Sequence, residues 1–338
     1  MDVTSIFENA LRSAVGPEAC VLALAAIGLN IHFGFTGLRN FGQVGFLLCG
    51  AYGAAVAVDT FGWSLWAGMA FALLLAVLFA LLLGAPTLRL RGDYFAIVTI
   101  AAAEILRFIV RSTSATDVTG GPFGLPKPAV PGEPRNTDLA DEFRRLSPFD
   151  DGIGSGRLSF NENQLWVMTV GWALVGVFSI LVLLLMRSPW GRVLKAIRED
   201  EDVVRSLGKN AVSYKMQALV LGGVIGAVGG IIGFLNTASV GANSFQPQVT
   251  FFAYTVLILG GAATRIGPVV GAILFQFLFA GSQSVLSQLG AEDLLPGFLR
   301  DQNAQGALSL LLVGLGLMAL LVFRPQGIFG SKEEMALE

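Results

Sequence analysis

From Trp63 to Gly84 the chain runs for 22 residues without a charged side chain. An α-helix of ~20 residues at ~1.5 Å per residue crosses the ~30 Å hydrocarbon layer of a bilayer, so this stretch already confines the fold. Lipid offers no water to satisfy backbone N–H and C=O groups, which leaves helices or closed barrels as spanning structures. Further apolar runs occupy residues 19–35, 41–58, 92–110, 164–186, 216–235, 245–261, 267–289 and 304–323. These runs have helical rather than strand length, and they predict an all-α polytopic membrane protein with about nine (8–10) transmembrane segments. A composition of 54% apolar and 14% charged residues exceeds what a soluble core uses. Residues 1–338 therefore read as a single integral-membrane domain.

The charges then set the sidedness. Residues 187–215 hold seven Lys or Arg in 29 positions, an excess that marks the cytoplasmic face. Within them Val193, Leu194, Ile197, Val203, Val204 and Leu207 recur at helical spacing, and Gly208 and Asn210 supply a stop. The pattern predicts one short amphipathic helix over residues 192–208, although charge alone fits a solvated loop equally well. Residues 112–163 carry 8 acids against 5 bases with abundant Pro and Gly, and belong outside. At 52 residues this loop is expected to pack a small element against the outer mouth. A receiving surface and a plain insertion suit it equally.

Alternation from these two loops places the N-terminus outside and the C-terminus inside. Sliding the chain by 205 residues sets Gln43-Val44-Gly45-Phe46 on Gln248-Val249-Thr250-Phe251. The organisation expected is two inverted four-helix repeats, residues 19–110 and 216–323, joined by a connecting span at 164–186. An extracytoplasmic loop (112–163), a cytoplasmic loop (187–215) and a short cytoplasmic tail (324–338) complete it. Residues 41–58, interrupted by Gly42, Gly45, Gly50 and Gly53, read as an irregular or broken span, with 245–261 as its counterpart.

Several motifs stand in a telling order. Pro189-Trp190-Gly191-Arg192, Ala196-Ile197-Arg198-Glu199-Asp200-Glu201 and Ser206-Leu207-Gly208 form a cytoplasmic set. With it come Gly28-Leu29-Asn30, Gly34-Phe35-Thr36-Gly37, Leu90-Arg91-Gly92-Asp93-Tyr94, Thr119-Gly120-Gly121-Pro122, Leu259-Gly260-Gly261, Gly267-Pro268 and Arg324-Pro325-Gln326-Gly327. Over residues 20–330 the ensemble resembles the LivM-type permease subunit of branched-chain amino acid ABC transporters. That resemblance implies a bacterial or archaeal cytoplasmic membrane protein working with a second, LivH-like permease subunit, two cytoplasmic ABC ATPases and an extracytoplasmic solute-binding protein. It also implies that Arg192, Ala196, Ile197, Arg198, Glu199, Asp200, Glu201 and Gly208 form the ATPase coupling element, and that no cofactor is held.

In an inverted-repeat carrier the second helix of each half lines the path. Here that choice selects Gly42, Gln43, Val44, Tyr52, Asn243, Gln246, Gln248, Thr250 and Tyr254. Small and amide-bearing, almost uncharged, these suit a neutral or zwitterionic solute rather than a bare ion. Glu104 and Arg107 form an i,i+3 pair that reads either as a structural pair or as part of the path. His32 has no second His at ligand spacing and is expected to be hydrogen-bonded rather than to bind metal, and Cys20 and Cys49 are expected to be buried free thiols.

Residues 1–19, with Asp2, Glu8, Arg12 and Glu18, lack a signal-peptide pattern and read as an amphipathic lead-in. No GxxxxGK[ST] phosphate cradle occurs, so ATP would be hydrolysed elsewhere, and a secondary carrier or an intramembrane enzyme lacks the clustered acids or catalytic groups it needs. A net charge of −2 says nothing for nucleic acid, since the basic residues are grouped by membrane side rather than into a binding stripe, and no nucleic-acid partner is expected. Urea or a short-chain amide is the alternative cargo to leucine, isoleucine or valine.

Overall fold

The computed structural model describes residues 3–88, 92–126, 139–149, 151–153, 158–291, 301–323 and 327–330. Helix α1 (Val3–Val15) leads into α2 (Pro17–Leu29), whose end widens into a π-helical turn at Asn30–Phe35. There follow α3 (Gln43–Asp59), α4 (Leu65–Thr87) and α5 (Gly92–Arg111), then the short α6 (Thr116–Thr119) and α7 (Asp141–Arg144). The second part comprises α8 (Glu162–Arg187), α9 (Pro189–Glu199), α10 (Glu201–Ser206), α11 (Ala211–Thr237), α12 (Pro247–Gly260), α13 (Gly267–Ala291) and α14 (Gln302–Phe323). Five of these are long and apolar enough to cross a membrane: α2 with its π turn, α4, α8, α11 and α13. With the shorter apolar α3 and α12 they make an all-α membrane protein.

Helices α2, α3 and α11 form the centre. Every residue from Gln43 to Val58 is buried or nearly so, and the crossings bring backbones together. A Cβ on Gly28 would strike the carbonyl oxygen of Gly222, one on Gly50 that of Ala227, and one on Gly230 that of Leu47. In lipid, tails are as apolar as leucine, so helices associate through such close packing rather than through hydrophobicity. The peripheral α4 shows the same logic: Gly68, Ala72, Ala76 and Ala80, four residues apart, face inward, while Trp66, Leu74, Leu78 and Leu82 face out.

The glycines read as kink points in residues 41–58 therefore serve packing, and α3 is an unbroken helix. Its counterpart α12 is also unbroken, preceded by a 3₁₀ turn at Ala242–Phe245. The irregular backbone lies instead at the end of the first span, where an extra residue per turn at Asn30–Phe35 was not foreseen. Nor is the cytoplasmic segment one helix: Asp200, extended at φ −155°, divides it into α9 and α10.

Outside the membrane core, residues of the 112–163 loop pack onto the bundle. Leu125 pairs with Val240 and Ile153 with Phe160 as isolated bridges, and Glu142 accepts the Leu65 N–H at the start of α4. Arg89, Arg91, the acidic turn Glu292–Asp293, the string Arg324-Pro325-Gln326 and residues 331–338 lie outside the described residues. Cys20 and Cys49 are free and buried.

Candidate functional site

Helices α3 and α12 meet near their N-terminal ends. The Val44 N–H donates to the Thr250 hydroxyl at 2.9 Å, and the Tyr254 hydroxyl donates to the Asn40 carbonyl at 3.2 Å. Phe41 stacks on Tyr254 with ring centroids 4.7 Å apart. Gln43 joins three helices: its amide N–H groups reach the carbonyls of Ala25 on α2 and Gly222 on α11, each at 3.3 Å. Ala25 lies about 12 Å from the start of α2 at ~1.5 Å per residue, close to the midpoint of the 19-residue span Pro17–Phe35 that α2 makes with its π turn.

Beside Gln43 the polar contacts close on themselves. The Asn40 amide donates to Gln43 Oε1 at 3.2 Å and to His32 Nδ1 at 3.0 Å, while Asn40 Oδ1 accepts from the Gly42 N–H at 2.9 Å. Because the Leu219 carbonyl, 3.1 Å from His32 Nε2, can only accept, that nitrogen carries the proton and Nδ1 is the acceptor. Both ring nitrogens are engaged, so the hydrogen-bonded role expected for His32 holds.

The residues selected as path-lining thus fall into two groups. Gly42, Gln43, Val44, Tyr52, Thr250 and Tyr254 are buried and tie α3 to its neighbours, whereas Asn243, Gln246 and Gln248 are exposed. Phe251, stacked at a tilt on Phe41 with centroids 5.7 Å apart, is exposed beside them. Nearby, Thr99 of α5 accepts the Phe41 N–H at 3.0 Å. Further along α5, the Arg107 guanidinium grips Glu104 with two hydrogen bonds, one at 2.9 Å from Nε to Oε2 and a second from Nη2 to Oε1. This pair neutralises its charge within one helix face.

At the other end of the bundle α9 and α10 lie across the ends of α2, α8 and α11. Leu194, Ile197 and Val204 are buried beneath them, and the Trp190 indole donates to Gln217 at 2.8 Å. Arg198 donates to the Gly34 carbonyl of the π turn at 2.5 Å, and its stem packs on Gly37, whose φ of +74° suits glycine. Asp200 caps α10 by accepting from Asp202 N and Val203 N at 2.9 and 3.1 Å. Glu201 pairs with Lys215 and, at 2.7 Å, with Arg205.

Of the coupling residues named above, Ala196, Ile197, Arg198 and Glu201 therefore face their own chain. Arg192, Glu199, Asp200 and Gly208 are exposed. Val203 and Leu207, grouped by spacing with the buried stripe, are instead 54% and 75% exposed. The break at Asp200 turns them away from the bundle. The π turn is tied down independently: Asn30 donates to the Thr264 carbonyl at 2.8 Å and accepts from the Ala263 N–H at 2.9 Å. Sequence spacing carries no signal for that clamp.

The fold and these sites define a multi-pass helical membrane protein with a packed polar junction in its interior and an exposed helix pair at one end. Residues 17–321 match the family described as branched-chain amino acid transport system / permease component, and the chain belongs to that family. It is 30% identical over 315 residues to the high-affinity branched-chain amino acid transport system permease protein LivM of Escherichia coli (strain K12), covering 91% of this chain and 67% of that protein. Identity to the probable LivM of Methanocaldococcus jannaschii is 23% over 352 residues, 91% of this chain and 90% of that one. A shorter likeness, 26% over 170 residues (48% of this chain, 46% of the other), links it to the autoinducer 2 import system permease protein LsrC of Photorhabdus laumondii.

Proposed function

We propose that this chain is a membrane-spanning subunit of an ABC importer for branched-chain amino acids. It would be paired with a second permease, fed by an extracytoplasmic binding protein and driven by two ATPases on the cytoplasmic face of a prokaryotic inner membrane. The observation that carries the reading is the family match over residues 17–321, on which the exposed face of α9–α10 falls at the end rich in basic residues. Val203 and Leu207 there are exposed apolar side chains that offer a partner contact area. Arg192, Glu199 and Asp200 beside them give the contact its register. The ATPases supply the hydrolysis, so this subunit is a transport component and not an enzyme.

The route is formed on the flank carrying Asn243, Gln246, Gln248 and Phe251, closed on its far side by the partner permease. Gly42, Gln43, Val44, Tyr52, Thr250 and Tyr254 hold this wall from within. Glu104 and Arg107 act as a structural pair. Support for two inverted halves, residues 19–110 and 216–323, comes from the α3–α12 junction: Val44 meets Thr250, and a 205-residue shift brings these same tetrapeptides into register. About nine crossings follow when α3, α5, α12 and α14 are counted with the five long apolar helices.

Reconstituted in vesicles with all its partners, the complex should accumulate labelled leucine when ATP and binding protein are present, and stop when either is withheld. Accumulation of urea in place of leucine would reassign the cargo. Leucine uptake by this chain alone, without ATP, would end the importer reading.

A further inference from the structure

A cavity of about 350 Å³ lies between α2, α3, α11, α12 and α13, at the end of the bundle where α2 begins and α11 finishes. It is at the small end of the ~300–1,000 Å³ range of ligand pockets. Phe234, Phe245, Phe252, Phe275 and Phe279 line it together with two amides, Gln276 and Asn236, and the Asn236 Oδ1 is buried without a hydrogen-bond partner. Gln276 is 5% exposed and makes no hydrogen bond to any described residue. The buried amides of the central helices, Asn30, Asn40 and Gln43, are all paired. A polar group kept unpaired at the wall of an aromatic cavity needs a partner that arrives from outside.

We propose that this cavity binds a small uncharged aliphatic solute bearing one hydrogen-bonding group, of the amide or alcohol class. The aromatic rings bury the aliphatic body, and Gln276, able both to donate and to accept, takes the polar group. A pure hydrocarbon or acyl chain would leave Gln276 unpaired. A zwitterion would have to bring both charges into a space whose only charged lining residue, Glu18, is exposed at the mouth beside Thr237 and Ser239. Asn243, Gln246 and Gln248 do not line it, while their chain neighbours Ser244, Phe245 and Val249 do, so the cavity adjoins that flank from the inner side.

The test is equilibrium binding of 3-methylbutanamide to the purified full-length chain in nanodiscs, with 2-methylpentane and leucine as comparison probes. Gly233→Leu fills the cavity without strain, since a Cβ there meets only Val21 Cγ2 at 3.7 Å, and should abolish amide binding at an unchanged melting temperature. Gln276→Leu should weaken 3-methylbutanamide about tenfold, the value of one hydrogen bond, and leave 2-methylpentane unchanged. That change in the ratio of the two affinities does not arise from a general loss of structure. Absence of amide binding, an amide affinity indifferent to Gln276→Leu, or leucine binding more tightly than the amide would each overturn the proposal.

Discussion

Gln43 and Gln248 sit at equivalent places in the two short helices, yet their environments are opposite. Gln43 is enclosed and bonds to Ala25, Asn40 and Gly222, whereas Gln248 is exposed. Replacing Gln43 by Leu removes one of the two acceptors of the Asn40 amide and the cross-helix donor to the Ala25 and Gly222 carbonyls, so Gln43→Leu should cost about 1–3 kcal/mol. Thermal unfolding in detergent should register the loss. Gln248→Leu should leave that transition in place and lower transport in the reconstituted complex. Equal melting temperatures for the two variants would refute the division between interior junction and exposed wall. Chemistry of the side chain alone does not separate them, since an amide serves equally as an internal cross-link and as a contact for solute.

Among elements, the centre depends on backbone contact between α2, α3 and α11. A side chain at Gly222 runs into the Gly28 carbonyl and the His32 ring, while one at Gly176 of α8 meets nothing within 4 Å. Gly222→Leu should therefore cost about 1–3 kcal/mol or more through overpacking, and Gly176→Leu should be silent. Thermal denaturation distinguishes the two directly, and similar losses would mean that glycine matters at both places for another reason.

The helix pair α9–α10 makes a different prediction. Leu207→Asp should stop the permease from capturing its ATPases in a pull-down while membrane insertion persists. Undiminished capture would remove the exposed apolar face from the docking surface. The division of this segment was open to reading, because Asp200 followed by Glu201 and Asp202 is an N-cap with an acidic first turn. The π turn had no such sign: its geometry answers to Ala263, Thr264 and Arg198 meeting it from distant parts of the chain.

For the molecule as a whole, the seven bases of residues 187–215 against the acidic 112–163 loop predict the orientation. A cysteine at exposed Ser159 should react with an impermeant thiol reagent in intact cells, and one at exposed Ser206 only after permeabilisation. The native thiols Cys20 and Cys49 are buried and should add little background. Labelling in the reverse order would invert the topology and with it the face assigned to the ATPases.

The apolar runs, their lengths, the charge on the intervening loops and the order of motifs were determined by the sequence itself, because a bilayer imposes its thickness and its polarity on each segment separately. Which face of each helix turns inward was decided by tertiary structure. Lipid tails and a protein interior are equally apolar, so hydrophobic periodicity cannot mark the buried side. The glycines of α3, readable as kinks, became contact points only against α11, and Gln43 became a cross-link only once Ala25 and Gly222 were beside it. Local physics in the membrane specifies spans, while the meeting of three backbones specifies what the polar residues between them do.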